Sequence, residues 1–206
     1  MDWEQKAIQN LLPLSQNQKS LKAALSEWSY NGNLIDYGSQ VATCDLCDHE
    51  RLRYHFEIIN FETKAALSVG STCITRFNIR AIDQQGIVLV GKKRDKYLST
   101  EIQRVKFEKS LEPLRLLWKQ DEQNRKVIER VIQAYKETQK LTPKATYHLF
   151  SRMKYFAIEY DPSLYTPDIK SFNNRMEYIS LSLSQQQIVQ ETMTQEEIDS
   201  FYNKRS

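Results

Sequence analysis

The sequence predicts an α+β fold that is mainly α, and three observations carry that expectation. All five glycines (Gly32, Gly38, Gly70, Gly86, Gly91) fall between 32 and 91, and all five prolines (Pro13, Pro113, Pro143, Pro162, Pro167) fall outside that window. The three cysteines, Cys44, Cys47 and Cys73, share the glycine window. From Asp95 onward the apolar residues recur at helical spacing, as in Leu98, Ile102 and Val105. Glycine supplies the positive-φ corners of tight turns, whereas a long glycine-free stretch broken by a few prolines reads as helices with hard stops. The chain therefore divides into an N-terminal helical arm over 1–33, a turn-rich module with a β-hairpin over 34–91 and a helical bundle over 92–206.

The 206 residues suit one domain, or one domain with a smaller module, and 40% hydrophobic residues suffice for a core. No run approaches the roughly 20 apolar residues of a membrane span, and Met1-Asp2-Trp3-Glu4-Gln5 lacks the basic and apolar regions of a signal peptide. A cytoplasmic protein without a membrane partner is expected. The net charge of +3 is too small to imply a nucleic-acid partner without local clustering.

Asp2 to Leu12 and Ser15 to about Trp28 read as two helices separated by Pro13, with Asp2/Gln5 and Ser15/Gln18 spaced as capping boxes. Leu21, Leu25 and Trp28 share one face of the second, and Asn31-Gly32-Asn33 reads as the turn that ends the arm. Leu52, Tyr54, Phe56 and Ile58 alternate with Arg51, Arg53, His55 and Glu57 at strand spacing. Residues 60–64 form a hairpin turn, Ala65 to Val69 a return strand, and Gly70-Ser71-Thr72 leads into a short helix over Cys73 to Ile79. Residues 81–91 fit a strand or the opening of the next helix. Beyond 95, Val127, Val131 and Tyr135 and then Leu149, Met153 and Phe156 mark helices, with Thr142 capping one that opens on Pro143. Trp118, Tyr135, Tyr147, Phe150 and Tyr155 fit core positions, Tyr160 to Tyr178 reads as an extended connection, and Thr194 with Glu197 forms a capping box.

The cysteines carry the most chemistry. Without a secretory context, Cys44-x2-Cys47 followed by Cys73 points to a metal rather than a disulfide. A tight knuckle directs two thiolates at one tetrahedral ion, and a third at a helix N-terminus gains from the helix dipole. Knuckle, hairpin, then ligand at a helix start is the order of a treble-clef zinc finger. A structural zinc would order a segment poor in apolar residues. Arg76 stands where a regular treble clef has its fourth ligand, three residues after Cys73. The candidates are His49, His55, Asp48 and His148, with His49 favoured because it sits just past the knuckle. Three reduced, packed cysteines without metal are the alternative.

The stretch Cys44-Asp-Leu-Cys47-Asp-His49-Glu-Arg-Leu-Arg53-Tyr54, followed by Leu67-Ser-Val69-Gly70-Ser71-Thr-Cys73-Ile74, resembles a small three-cysteine zinc-binding module of uncharacterised phage and bacterial proteins. The resemblance covers about residues 41–79 and implies a treble-clef-like zinc site and an origin in a phage or bacterial cell. It transfers no catalytic residue. Asp48 stands where family members often have glycine.

Nothing supports an enzyme. His49-Glu50-Arg51-Leu52 ends in Arg53 rather than a second histidine, so the metalloprotease helix is missing. The order of histidine, glutamate and cysteines is wrong for a zinc deaminase. No phosphate-binding glycine loop or nucleophile elbow occurs.

Residues 51–110 hold twelve Lys or Arg against six Asp or Glu, the asymmetry of a nucleic-acid face. The candidate phosphate contacts are Arg51, Arg53, Arg76, Arg80, Lys92, Lys93, Arg94 and Lys96. A solvated helix start is the alternative for the Lys92–Lys96 run, although cations there oppose the helix dipole. Tyr54, Phe56 and Phe77 fit a small core better than a stacking surface. Two expectations follow. One is a non-catalytic, zinc-stabilised accessory protein of phage or mobile-element type that binds DNA or RNA. The other is a protein-interaction module, an adaptor, subunit or inhibitor, in which the finger is purely structural.

Overall fold

The computed structural model describes residues 2–202, which form a mainly helical α+β protein. It comprises two compact units, Met1–Val105 and Lys106–Ser206.

The first unit opens with α1 (Trp3–Leu11), a 3-10 turn (Leu12–Leu14) and the short α2 (Leu21–Leu25). A sheet follows, made of β1 (Trp28–Asp36), β2 (Tyr54–Asn60), β3 (Ala66–Val69), β4 (Arg80–Ile82) and β5 (Val88–Leu89), in the order β3-β2-β1-β4-β5. β1 pairs antiparallel with β2 and parallel with β4, and the two outer pairs are antiparallel. Between β3 and β4 lies α3 (Ser71–Arg76), and after β5 the 30-residue α4 (Gly91–Gln120) begins. The core gathers Trp28, Tyr30, Phe56, Ile58, Val69 and Ile74, with Leu98 from the first turns of α4. The alternation expected for β2 is present, since Phe56 and Ile58 share that core.

The second expected helix is much shorter than 15–28, because a buried carboxylate holds its first part as a loop. Glu27 accepts hydrogen bonds from the amides of Gln16 and Asn17, both at 2.8 Å, and from the Asn60 side chain at 2.8 Å. Ser15 is consequently not a cap: its Oγ donates to the Leu11 carbonyl and accepts from the Trp28 indole, while Ser20 caps α2. Asp2 stands at the N-cap of α1 without a side-chain cap bond. Trp28 opens β1 rather than closing a helix. Asn31-Gly32-Asn33 lies inside β1, where the register with β2 shifts between Tyr30 and Leu34. Gly32, at φ 93°, absorbs this bulge, so a turn signal became an irregularity in a strand that crosses residue 33.

α3 starts two residues earlier than expected and ends at Arg76, because Asn78 turns left-handed at φ 51°. Gly70 precedes it, and a Cβ there would come 3.1 Å from a Leu52 methyl, so the glycine permits close packing. The ambiguous 81–91 stretch is a hairpin, its turn held by Asp83 Oδ1 accepting from the amides of Gln85 and Ile87.

In the second unit, α5 (Arg125–Thr138), α6 (Pro143–Tyr155), α7 (Phe172–Ser180), α8 (Leu183–Gln190) and α9 (Gln195–Tyr202) follow the end of α4. Leu114, Leu117, Ile128, Tyr135, Leu149 and Phe150 form its main core, and the Tyr135 and Tyr165 hydroxyls both bond to Ser110. Thr142 caps α6 as expected, and Thr194 and Glu197 exchange capping bonds. Pro113 does not stop α4. It is buried inside the helix beside Leu111 and Leu114, and that burial offsets the lost backbone bond. Trp118 and Tyr155 are not core residues: Tyr155 is 74% exposed, and each ring lies under an arginine, Arg125 and Arg152 respectively. Val127 also faces solvent, because Ile128 takes the inward position. Within the expected connection, Pro162–Leu164 forms a 3-10 turn and α7 begins at Phe172.

Candidate metal centre and its surroundings

Residues 42–52 form a small loop closed by paired backbone bonds between Ala42 and Leu52, with the cysteine knuckle at its tip. Within it the Cys44 amide donates to the His49 carbonyl and the Asp48 amide to the Cys44 carbonyl, both at 2.9 Å. Asp48 adopts φ 54°, the conformation that explains why glycine suits this place. Two external ties fix the knuckle. Asp45 exchanges backbone and side-chain bonds with Ser68 on β3, and the Asp48 carboxylate meets Lys6 at 3.2 Å and Asn10 at 3.2 Å on α1.

Cys73, in the first turn of α3, completes the arrangement. Its Sγ lies 3.6 Å from that of Cys44 and 3.2 Å from that of Cys47, and all three thiols are buried within 4.8 Å of one another. A disulfide needs a sulfur separation of about 2.05 Å. Thiolates converging on one tetrahedral ion, at about 2.3 Å from it, stand apart as these do. The hydrogen bond from Cys73 holds the Cys44 thiol down to about 5 against the opposing effect of burial, with help from backbone bonds of Gly70, Leu46 and Cys47. The Cys73 thiol is pushed far up by that same bond, by burial and by the Cys44 charge. Three buried cysteines thus form a site that can hold a metal ion.

The thiols line an open cleft of about 330 Å³ together with Asp48, His49 and Arg76. His49 faces solvent, and its ring nitrogens are not part of the thiol cluster; its contribution to the knuckle is its carbonyl. Of the other candidates, Asp48 is engaged by α1, and His55 is buried on β2 with Nδ1 3.3 Å from the Tyr37 hydroxyl. His148 belongs to the second unit, on α6.

The basic residues separate into two groups. Arg51, Arg76, Lys92, Lys93 and Lys96 are exposed. Arg53 is engaged inside the sheet, its guanidinium bonding both Asp36 oxygens at 2.8 and 3.2 Å. Arg80 is half-buried over the Phe61 ring. Arg94 departs furthest from a phosphate contact. It is 2% exposed and binds Asp95, the Asn78 side chain and the Ile79 carbonyl, pinning the start of α4 to the turn between α3 and β4. Arg94→Met should therefore destabilise the first unit by about 2 kcal/mol in thermal or urea denaturation without changing the affinity for a polyanion.

Reasoning from the sequence missed Glu27, whose buried carboxylate organises the arm. The only signal was an acid between two stretches rich in apolar residues. Compared with family models, curated proteins and solved structures, the chain finds no match in any of the three. No helix among the described residues is long and apolar enough to cross a membrane.

Proposed function

We propose that this chain is a non-catalytic nucleic-acid-binding accessory protein of phage or bacterial mobile-element type, acting in the cytoplasm and stabilised by a structural zinc on Cys44, Cys47 and Cys73. Soft, buried thiolates favour zinc over harder cations, and His49, which lines the same cleft, would supply the fourth ligand by turning its exposed ring in toward the thiols. The observation that carries the nucleic-acid reading is the start of α4. Lys92, Lys93 and Lys96 are exposed there and have no carboxylate partner among the described residues, since Asp95 is taken by Arg94. Lys92 and Lys93 stand in the first turn, where cations are unfavourable unless an anion compensates them, and Lys96 in the next turn extends the patch that a phosphate backbone would meet.

The test is binding of labelled DNA and RNA at increasing salt. Affinity should fall steeply with ionic strength, and the combined Lys92→Ala, Lys93→Ala, Lys96→Ala variant should lose about tenfold or more, with a salt slope shallower by about 2 to 3. Binding that ignores both salt and the variant sinks the reading.

One observation favours a protein-interaction module instead. Phe172, Met176, Ile179 and Leu183 follow one another along α7 and into α8, and all are exposed. An apolar partner held there would bind with little dependence on salt.

A further inference from the structure

A second cleft, of about 570 Å³, opens in the first unit among α1, α2 and the corner from α3 into β4. Its volume lies in the range of small-molecule sites. It shares Trp3 and Arg76 with the thiol cleft but has no cysteine in its lining. One wall is apolar, formed by Leu21, Leu25, Phe77 and Val90. Three cations reach it from three elements, Lys22 from α2, Arg76 from α3 and Arg80 from β4, against the single acid Glu4.

The two arginines are held in an unusual way. Arg76 lies 4.7 Å over the Trp3 ring, whose edge meets the Phe77 ring, and Arg80 lies 4.5 Å over Phe61. Neither is paired with a carboxylate among the described residues, and the buried Nε of Arg80 has no hydrogen-bond partner there. Stacking fixes the plane of a guanidinium while leaving its N–H edge free to donate.

We propose that this cleft binds a phosphomonoester joined to a flat, partly apolar group, that is, a nucleotide, free or at the end of a strand. Two planar forks match phosphate oxygens, and the three cations less Glu4 leave two positive charges. A phosphomonoester carries about −1.5 to −2 at neutral pH, whereas an internal phosphodiester carries about −1. The apolar wall and Trp3, 41% exposed, offer the base a place to lie. The inference goes beyond the nucleic-acid reading and stands on the cleft alone.

Calorimetric titration of the full chain with adenosine monophosphate, adenosine and inorganic phosphate tests it. The monophosphate should bind about tenfold or more tightly than either of the others, and Arg76→Met and Arg80→Met should each weaken it by about tenfold. Should Arg80→Met fail to fold, the exposed Arg76 carries the comparison. A short oligonucleotide with and without a terminal phosphate separates the sources: a gain from the phosphate beyond the free nucleotide's affinity assigns the cleft to strand ends, and no gain assigns it to free nucleotides. Equal binding of adenosine and its monophosphate, or a monophosphate affinity unmoved by both substitutions, overturns the proposal. The triple Lys92, Lys93, Lys96 variant should keep its monophosphate site. A chain that takes the nucleotide but no strand therefore overturns only the reading of the preceding subsection.

Discussion

Cys73→Ala is expected to remove the metal and unfold the first unit. A structural zinc contributes on the order of 10 kcal/mol or more to a small metallo-domain, against a total stability of about 5–15 kcal/mol for an ordinary domain. The cost falls on this unit because the three thiols hold the knuckle, the end of β3 and the start of α3 together. Elemental analysis should find about one zinc per wild-type chain and none in the variant. Trp28, fully buried in that unit, should shift its fluorescence to the red in the variant, and in the wild type on adding a strong chelator. A metal-free chain with Trp28 still buried and an unchanged melting point would refute the metal assignment.

The second large effect centres on Glu27. Glu27→Ala strands the fully buried Asn60 side chain and releases the amides of Gln16 and Asn17, a loss of about 3 kcal/mol measurable by urea denaturation. The same carboxylate gives the unit an acid limb. Burial pushes the Glu27 carboxyl up, but the bonds from Asn60, Asn17 and Gln16 outweigh it and leave the group below its usual 4.5. An unfolded chain then takes up a proton before the folded one does. The contribution is fully present above about pH 4.5 and is lost as the pH falls through the lower folded value. Melting curves from about pH 3 to 7 should show the first unit of Glu27→Gln less sensitive to acid than the wild type. Asp121 in the second unit behaves in the same direction. Burial raises it, but its bonds to Arg152 and Asn124 hold it below 3.8, so that unit keeps its own acid limb in the Glu27 variant.

The parts that could be read from residue types were those governed by local rules. Cys44-x2-Cys47, the glycine before α3 and the Thr142-Pro143 helix start each act over a few residues, and each appears where its spacing places it. What escaped depended on partners distant in the chain. Trp28 sits at helical spacing from Leu25, yet β2 and β4 flank its strand and make a helix there impossible. Arg94 belongs by composition to a basic run, and only the carbonyl of Ile79 and the side chain of Asn78 reveal it as a staple. Trp118 and Tyr155 have core-like spacing, but an arginine over each ring supplies cover that no periodicity encodes.

The parallel pairing of β1 with β4 has a kinetic side. Ser29 and Tyr30 align with Arg80 and Ala81, so closing this ladder encloses a segment of about fifty residues that contains β2, β3, the knuckle and α3. The antiparallel partners β2 and β3 are joined by a short turn and can zip locally. On a growing chain the local hairpin and the cysteine cluster are available before β4 emerges, so ion capture can shorten the effective loop before the long-range ladder closes. The order of assembly would then run from the thiols outward, with the central parallel pair as the last, slowest join of the sheet.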